Sequence, residues 1–323
     1  MQTAIIAYEQ MDDAARAQIV KILRAHPRFA SDFDVPENLN DEDQAKWIFA
    51  RASIWPDLVR SKPPKPKIPA VPSEKRSYNR ANWHFINFPI VLLPKGAGAA
   101  ATEAQVLEAA KQRLNLSTTP PENETLDMNA LQAIAFNAAI VKKSHDDAER
   151  AVAICWLMHL IGDIHQPEHA AALFTKTLFA PDKFKHGDQG GNLSKYRDDG
   201  RVNDLHSLWD DGPGTSESFG VADGRVGDIL EDAMMQKVGK SAIEQMDPSA
   251  WAAESTQLAS KSVYTPSIRR QILRAETQEL NPEDDPVIDG LTDNYLTAVK
   301  KISERRVVQG GYRLGAFLKN LLQ

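Results

Sequence analysis

The stretch from Trp156 to His169, WLMHLIGDIHQPEH, constrains the chain more than any other. Leu157, Leu160 and Ile161 mark it as the end of a buried helix, and Pro167 forbids the helix from continuing. His159 and Asp163 stand four apart, so both side chains lie on one helix face, where they can share a metal ion. A lone pair of this kind is more often a hydrogen-bonded core pair. A second His-x3-Asp follows, however, at His206 and Asp210 in NDLHSLWD, and the turn-rich GDQGGN from Gly187 to Asn192 lies between the two. With His169 just past the proline, two such pairs shift the balance toward metal.

Composition narrows which metal chemistry is open. Cys155 is the only cysteine, which excludes an intramolecular disulfide and a Cys-rich zinc knuckle, so any metal is held by histidine and carboxylate. Cys155 itself, in an apolar helix, is expected in the core. The chain has 323 residues, 42% of them apolar and 25% charged, and shows no composition break, so we expect one domain over 1–323. No run approaches the roughly 18 to 20 apolar residues of a membrane helix, and no membrane insertion is expected. The net charge of -6 argues against a broadly basic nucleic-acid surface. Nucleic acid stays admissible as a substrate, because bound divalent ions reverse the field of an acidic site.

Taken in order, the pattern is helix after helix, and the fold class it predicts is all-α. Ala14 to His26 has helical spacing after the capping candidates Asp12 and Asp13, and Pro27 ends it. Asp41 to Arg60 is opened by acidic residues and interrupted at Pro56, with Asp57 just after the break. Residues 61–80, SKPPKPKIPAVPSEKRSYNR, form the one clear loop, rich in Pro, Lys and Arg. Trp83 to Pro89, WHFINFP, is a short aromatic run in which His84 is either a core histidine or part of a platform for a base. Helices are expected over Glu103 to Leu114, Leu126 to Lys143, and from Asp146 into the central stretch, with Ser144 as N-cap. They resume over Gly227 to Lys240, Pro248 to Tyr264 and Leu291 to Leu322, where Gly310 and Gly311 allow a kink or close packing. No alternating strand pattern competes.

Five motifs in a fixed order, WPD at Trp55 to Asp57, WHFIN, HLIGDIHQPEH, GDQGGN and NDLHSLWD, carry a resemblance. The chain resembles the zinc-dependent single-strand nucleases and 3'-nucleotidases, the type I nucleases, over residues 55 to 210; WAAES at Trp251 to Ser255 and the last helix match in character. That family is helical and related in fold to zinc phospholipase C. The resemblance implies that Asp57, His84, His159 and Asp163 hold one buried zinc, and that His169, His206 and Asp210 hold a second, more open one. It further implies a role for Arg60 as the cation at the transition state, beside Asp57. Phe85 and Asn87 are implied to stack and read a base, where fungal members carry Asp in place of Asn87, and Asn192 is implied to bind phosphate or to hold its turn. His165 matches no ligand position and is expected behind the ligands or on the surface; His26, His145 and His186 are expected on the surface.

The implied activity is zinc-dependent hydrolysis of single-stranded DNA or RNA to 5'-phosphate products, with 3'-nucleotidase activity. The rival expectations are a phospholipase C-like phosphoesterase and a non-catalytic zinc-binding homologue. Family members hold up to three zincs. The third shares the carboxylate matching Asp163, and its other ligands are an N-terminal tryptophan and a histidine in a WGxxGH pattern, neither of which stands in this sequence. The expectation is that the reading frame continues upstream of Met1 into that pattern and a signal peptide, giving an exported protein, although no signal-peptide pattern opens the chain given.

Overall fold

A computed structural model describes residues 1–60, 77–96, 99–214, 218–278 and 280–323. Most of the Pro/Lys-rich loop expected over residues 61–80 lies outside them. The helices are α1 (Gln2–Gln10), α2 (Asp13–Leu23), α3 (Phe29–Asp32), α4 (Asp41–Leu58), α5 (Ala99–Arg113), α6 (Ala130–Lys143), α7 (Asp147–Asp163) and α8 (Pro167–Ala170). They continue with α9 (Leu205–Asp210), α10 (Phe219–Glu231), α11 (Ala233–Ala242), α12 (Pro248–Leu258), α13 (Pro266–Glu276) and α14 (Asp293–Leu322). The fold is all-α, as the periodicity predicts.

At the centre is α7. Every residue from Ala153 to Ile161 is buried, so the helix needs partners on all sides, and α2, α4, α6 and α14 pack around it. Its start is capped by Asp146, which accepts the amide of Ala148; Ser144, the expected cap, instead accepts the amide of Asp146. The end of α7 at Asp163 is followed three residues on by Gln166, which caps α8, with Pro167 in the first turn of that helix.

Several boundaries depart from the pattern for identifiable reasons. Helix α4 runs past Pro56 to Leu58, because a proline so near a helix end removes only one late hydrogen bond. The segment expected as one helix over Gly227 to Lys240 is two, divided at Asp232, whose side chain accepts the amide of Met234 and starts α11. Beyond Leu258 the last turn of the expected Pro248–Tyr264 helix widens to a π-helix over Ala259–Val263. Helix α13 was not foreseen, although Thr265 caps it and Pro266 opens it.

Helix α1 was not foreseen either, and it matters for the site. It lies against α14, whose glycines permit the approach: a Cβ on Gly311 would overlap Ile6 Cγ2 and come within 3.0 Å of the Thr3 carbonyl oxygen. Close packing, not a kink, is what Gly310 and Gly311 provide, since α14 is continuous through them.

Two small sheets were also unforeseen. Strands β1 (Phe88–Val91) and β2 (Ala171–Phe174) pair in parallel, with Phe88 opposite Ala171, and so join the WHFIN segment to the HQPEH segment. Strands β3 (Lys195–Asp198) and β4 (Arg201–Asp204) form a hairpin turned at Asp199 and Gly200, both at positive φ. The signal was an Asp-Gly pair between strands of only four residues.

Candidate metal centre

The ends of α4 and α7, the turn before β1, α8 and α9 meet around a cleft of about 360 Å³. Asp57, Arg60, His84, His159, Asp163, His169, His206 and Asp210 all line it. Met1 to Thr3 at the start of α1 and Arg306 of α14 complete its walls.

The first group gathers on α7. Asp163 Oδ2 lies 3.1 Å from His159 Nε2 and 3.1 Å from His84 Nδ1, and the two ring nitrogens are themselves 2.9 Å apart. Asp57 Oδ1 faces the same point, 3.8 Å from His159 Nε2 and 4.0 Å from His84 Nδ1. Two ring nitrogens and two carboxylates therefore converge where no pairwise hydrogen bond uses all of them. The second group is more open: His169 Nε2 is 3.6 Å from Asp210 Oδ1, and His206 Nε2 is 3.5 Å from Asp210 Oδ2. Asp163 also reaches to 3.9 Å of His169 Nδ1, so it stands between the groups.

What fits these residues to a divalent cation is how the rings are held. His159 Nδ1 donates to the Ser53 carbonyl at 2.7 Å, His169 Nδ1 to the His84 carbonyl at 2.7 Å, and His206 Nδ1 to the Gly190 carbonyl at 2.8 Å. Each bond holds its ring with Nε2 turned toward the facing carboxylate, where a metal ion would meet it. Gln166 Nε2 donates to Asp210 Oδ1 at 2.9 Å and orients that carboxylate. Neither Gln166 nor the three carbonyls was singled out from sequence; a carbonyl leaves no sequence signal, because every residue has one.

Charge in the cleft is held in balance. Burial disfavours the charged forms of His159 and His169, yet Asp163, with Asp57 at the former and Asp210 at the latter, lifts each to about 9. Burial likewise opposes the Asp163 carboxylate, but His159 and His169 hold it well below the usual range. A divalent cation bound here would take the place of the protons on these rings. Glu168, buried beside His169, has no hydrogen-bond partner for either oxygen among the described residues. Burial, and then Asp188, Asp210 and Asp204, push its pKa well up.

Arg60 sits at the cleft wall with its Nη1 3.3 Å from Asp57 Oδ1. Phe85 and Asn87 do not face this cleft but line a neighbouring pocket of about 290 Å³. Asn192 is exposed and is absent from the cleft wall; its Nδ2 donates to the Gln189 carbonyl at 2.7 Å and holds the turn. His145 is exposed as expected, but His26 is buried. It packs at 4.4 Å on Trp55, and burial lowers its pKa to about 4. His186 is only half-buried. His165 is buried behind the ligands, donating to the Ile161 carbonyl and meeting Arg313.

The chain is similar to known nucleases. Endonuclease 4 of Arabidopsis thaliana is 28% identical over 181 residues, covering 52% of this chain and 50% of its own length. The chain thus spans about half the length of the curated relative it matches. The S1/P1 Nuclease family model matches residues 1–323, and with a match over the full length the chain belongs to the S1/P1 nuclease family.

Proposed function

We propose that the protein is a zinc-dependent phosphodiester hydrolase that cleaves single-stranded DNA or RNA and leaves 5'-phosphate ends. The observation that supports it most is the meeting of two His/Asp groups in one cleft, with Asp163 between them. Zinc at these groups supplies Lewis-acid polarisation of the phosphodiester and its attacking water at neutral pH. Asp57, His84, His159 and Asp163 hold the inner cation, and His169, His206 and Asp210 the outer one, where fewer protein ligands leave room for a substrate oxygen. Arg60 donates to the charge that gathers on the phosphoryl oxygens. Phe85 offers a partly exposed ring on which an unpaired base stacks, which a duplex cannot supply without unstacking. A terminal 3'-phosphate fits the same chemistry and adds a 3'-nucleotidase activity.

The test is the zinc-loaded protein on four substrates: single-stranded DNA, duplex DNA, a 3'-mononucleotide and a phosphatidylcholine vesicle. Single strand cut much faster than duplex is the expected result. Equal rates on both would refute the single-strand reading, and lipid hydrolysis would favour the phospholipase C-like alternative. Bound zinc without cleavage of any substrate would leave the non-catalytic homologue.

A further inference from the structure

The pocket beside the metal cleft is lined by Phe85, Asn87, Arg113, Lys185 and His186. Asn87 is 5% exposed, and its Nδ2 lies 3.0 Å from His186 Nδ1. The Asn87 amide is therefore spent on a neighbouring ring. A neutral imidazole that accepts at Nδ1 carries its proton on Nε2. Burial, and then Lys185 next to it, hold His186 below the usual histidine range, consistent with a neutral ring. The rings of Phe85 and His186 meet at 76°, with centroids 5.4 Å apart, and form two walls of the pocket. Arg113 and Lys185, both exposed, line the same pocket together with Asp127.

We propose that His186, oriented by Asn87, is the residue that selects the nucleobase stacked on Phe85, and that its ring N–H favours keto bases over amino bases. The O6 of guanine and the O4 of thymine or uracil are acceptors, whereas adenine and cytosine present an amino group at the equivalent position. A fixed donor meets the first group with a hydrogen bond and the second with two hydrogens facing each other. This inference rests on the single-strand nuclease reading above and specifies its substrate preference.

The experiment measures kcat/KM of the zinc-loaded protein on the dinucleotides TpT, ApA and CpC. Wild type should favour TpT over the other two by about tenfold, within the range of one base contact. His186→Ala should bring the three rates close together with zinc content unchanged. Asn87→Asp should reduce the TpT preference, because a carboxylate only accepts: Nδ1 then carries a proton, and Nε2 keeps one only in the charged ring. A purely structural role for His186 would lower all three rates together and keep their ratios. His186→Gln, which keeps an N–H donor, should retain part of the TpT preference, so a fold lost in the alanine variant does not decide the matter. No cleavage of any dinucleotide or longer single strand overturns the nuclease reading and this inference with it. Cleavage without base preference, or a preference that survives His186→Ala, overturns the inference alone.

Discussion

His159 Nε2 and His84 Nδ1 face each other at 2.9 Å, and Asp163 Oδ2 lies 3.1 Å from each. Two ring nitrogens this close, on segments joined through β1 and β2, are poised to be drawn onto one cation. The chain should therefore hold zinc, the inner group more tightly than the outer. With free zinc at about 100 times Kd, binding should stabilise the fold by about 2.7 kcal/mol, and chelation should remove that increment. His159→Ala should abolish most of it. Zinc content by mass spectrometry together with unfolding curves checks this; fewer than one zinc per chain after mild dialysis against zinc buffer would refute it.

Phe85→Ala separates base stacking from metal binding, since Phe85 lines its own pocket. The loss of one stacked base is worth about 1–3 kcal/mol. It should appear as a raised KM for single strands at unchanged zinc content. A variant with wild-type KM would show that the base does not rest there.

Gly311 marks where the cleft depends on a distant contact, because it lets α1 lie on α14 and α1 carries Met1 to Thr3 into the cleft wall. Gly311→Ala should cost about 1–3 kcal/mol through overpacking against Ile6. Activity should fall along with stability as α1 is pushed away. Unchanged denaturant midpoints would show that α1 yields freely.

The ligand set was legible because helix geometry makes His-x3-Asp a pair on one face, and the helical class because most helices bury one stripe. Helix α1 was missed for the opposite reason. Ala4 to Tyr8 are all buried, so no polar face gives it a period. His26 was misplaced because what buries it, Trp55, comes from another helix and leaves no trace beside it in the sequence. The ring orientations of His159, His169 and His206 were illegible, since backbone carbonyls set them. Asn87 was readable as a substitution in a motif, but its partner His186 is brought in by the fold.

Behind the cleft, Glu254 on α12 accepts from Arg306 Nη1 at 2.7 Å and from Arg313 Nη1 and Nη2 at 2.7 and 2.8 Å. Both arginines are buried on α14, and Arg306 Nε also donates to the His165 carbonyl in the turn between Asp163 and His169. Glu254→Gln would leave two buried guanidinium groups without their carboxylate. Breaking a fully buried pair costs about 3–5 kcal/mol, and because Glu254 is itself more than a third exposed, solvent screening reduces this to about 2–3 kcal/mol. The pH dependence follows from the direction of its shift. Burial opposes the charged form, but Arg313 and Arg306 outweigh it and set the folded pKa below 4.5, so the unfolded chain binds the proton more readily. This contribution is therefore complete above the unfolded value near 4.5 and is lost as pH falls through the folded one. The gap in thermal midpoint between wild type and Glu254→Gln should be widest near neutrality and close on acidification. A gap that stays constant down to pH 3 would show that the carboxylate acts by packing and not by charge.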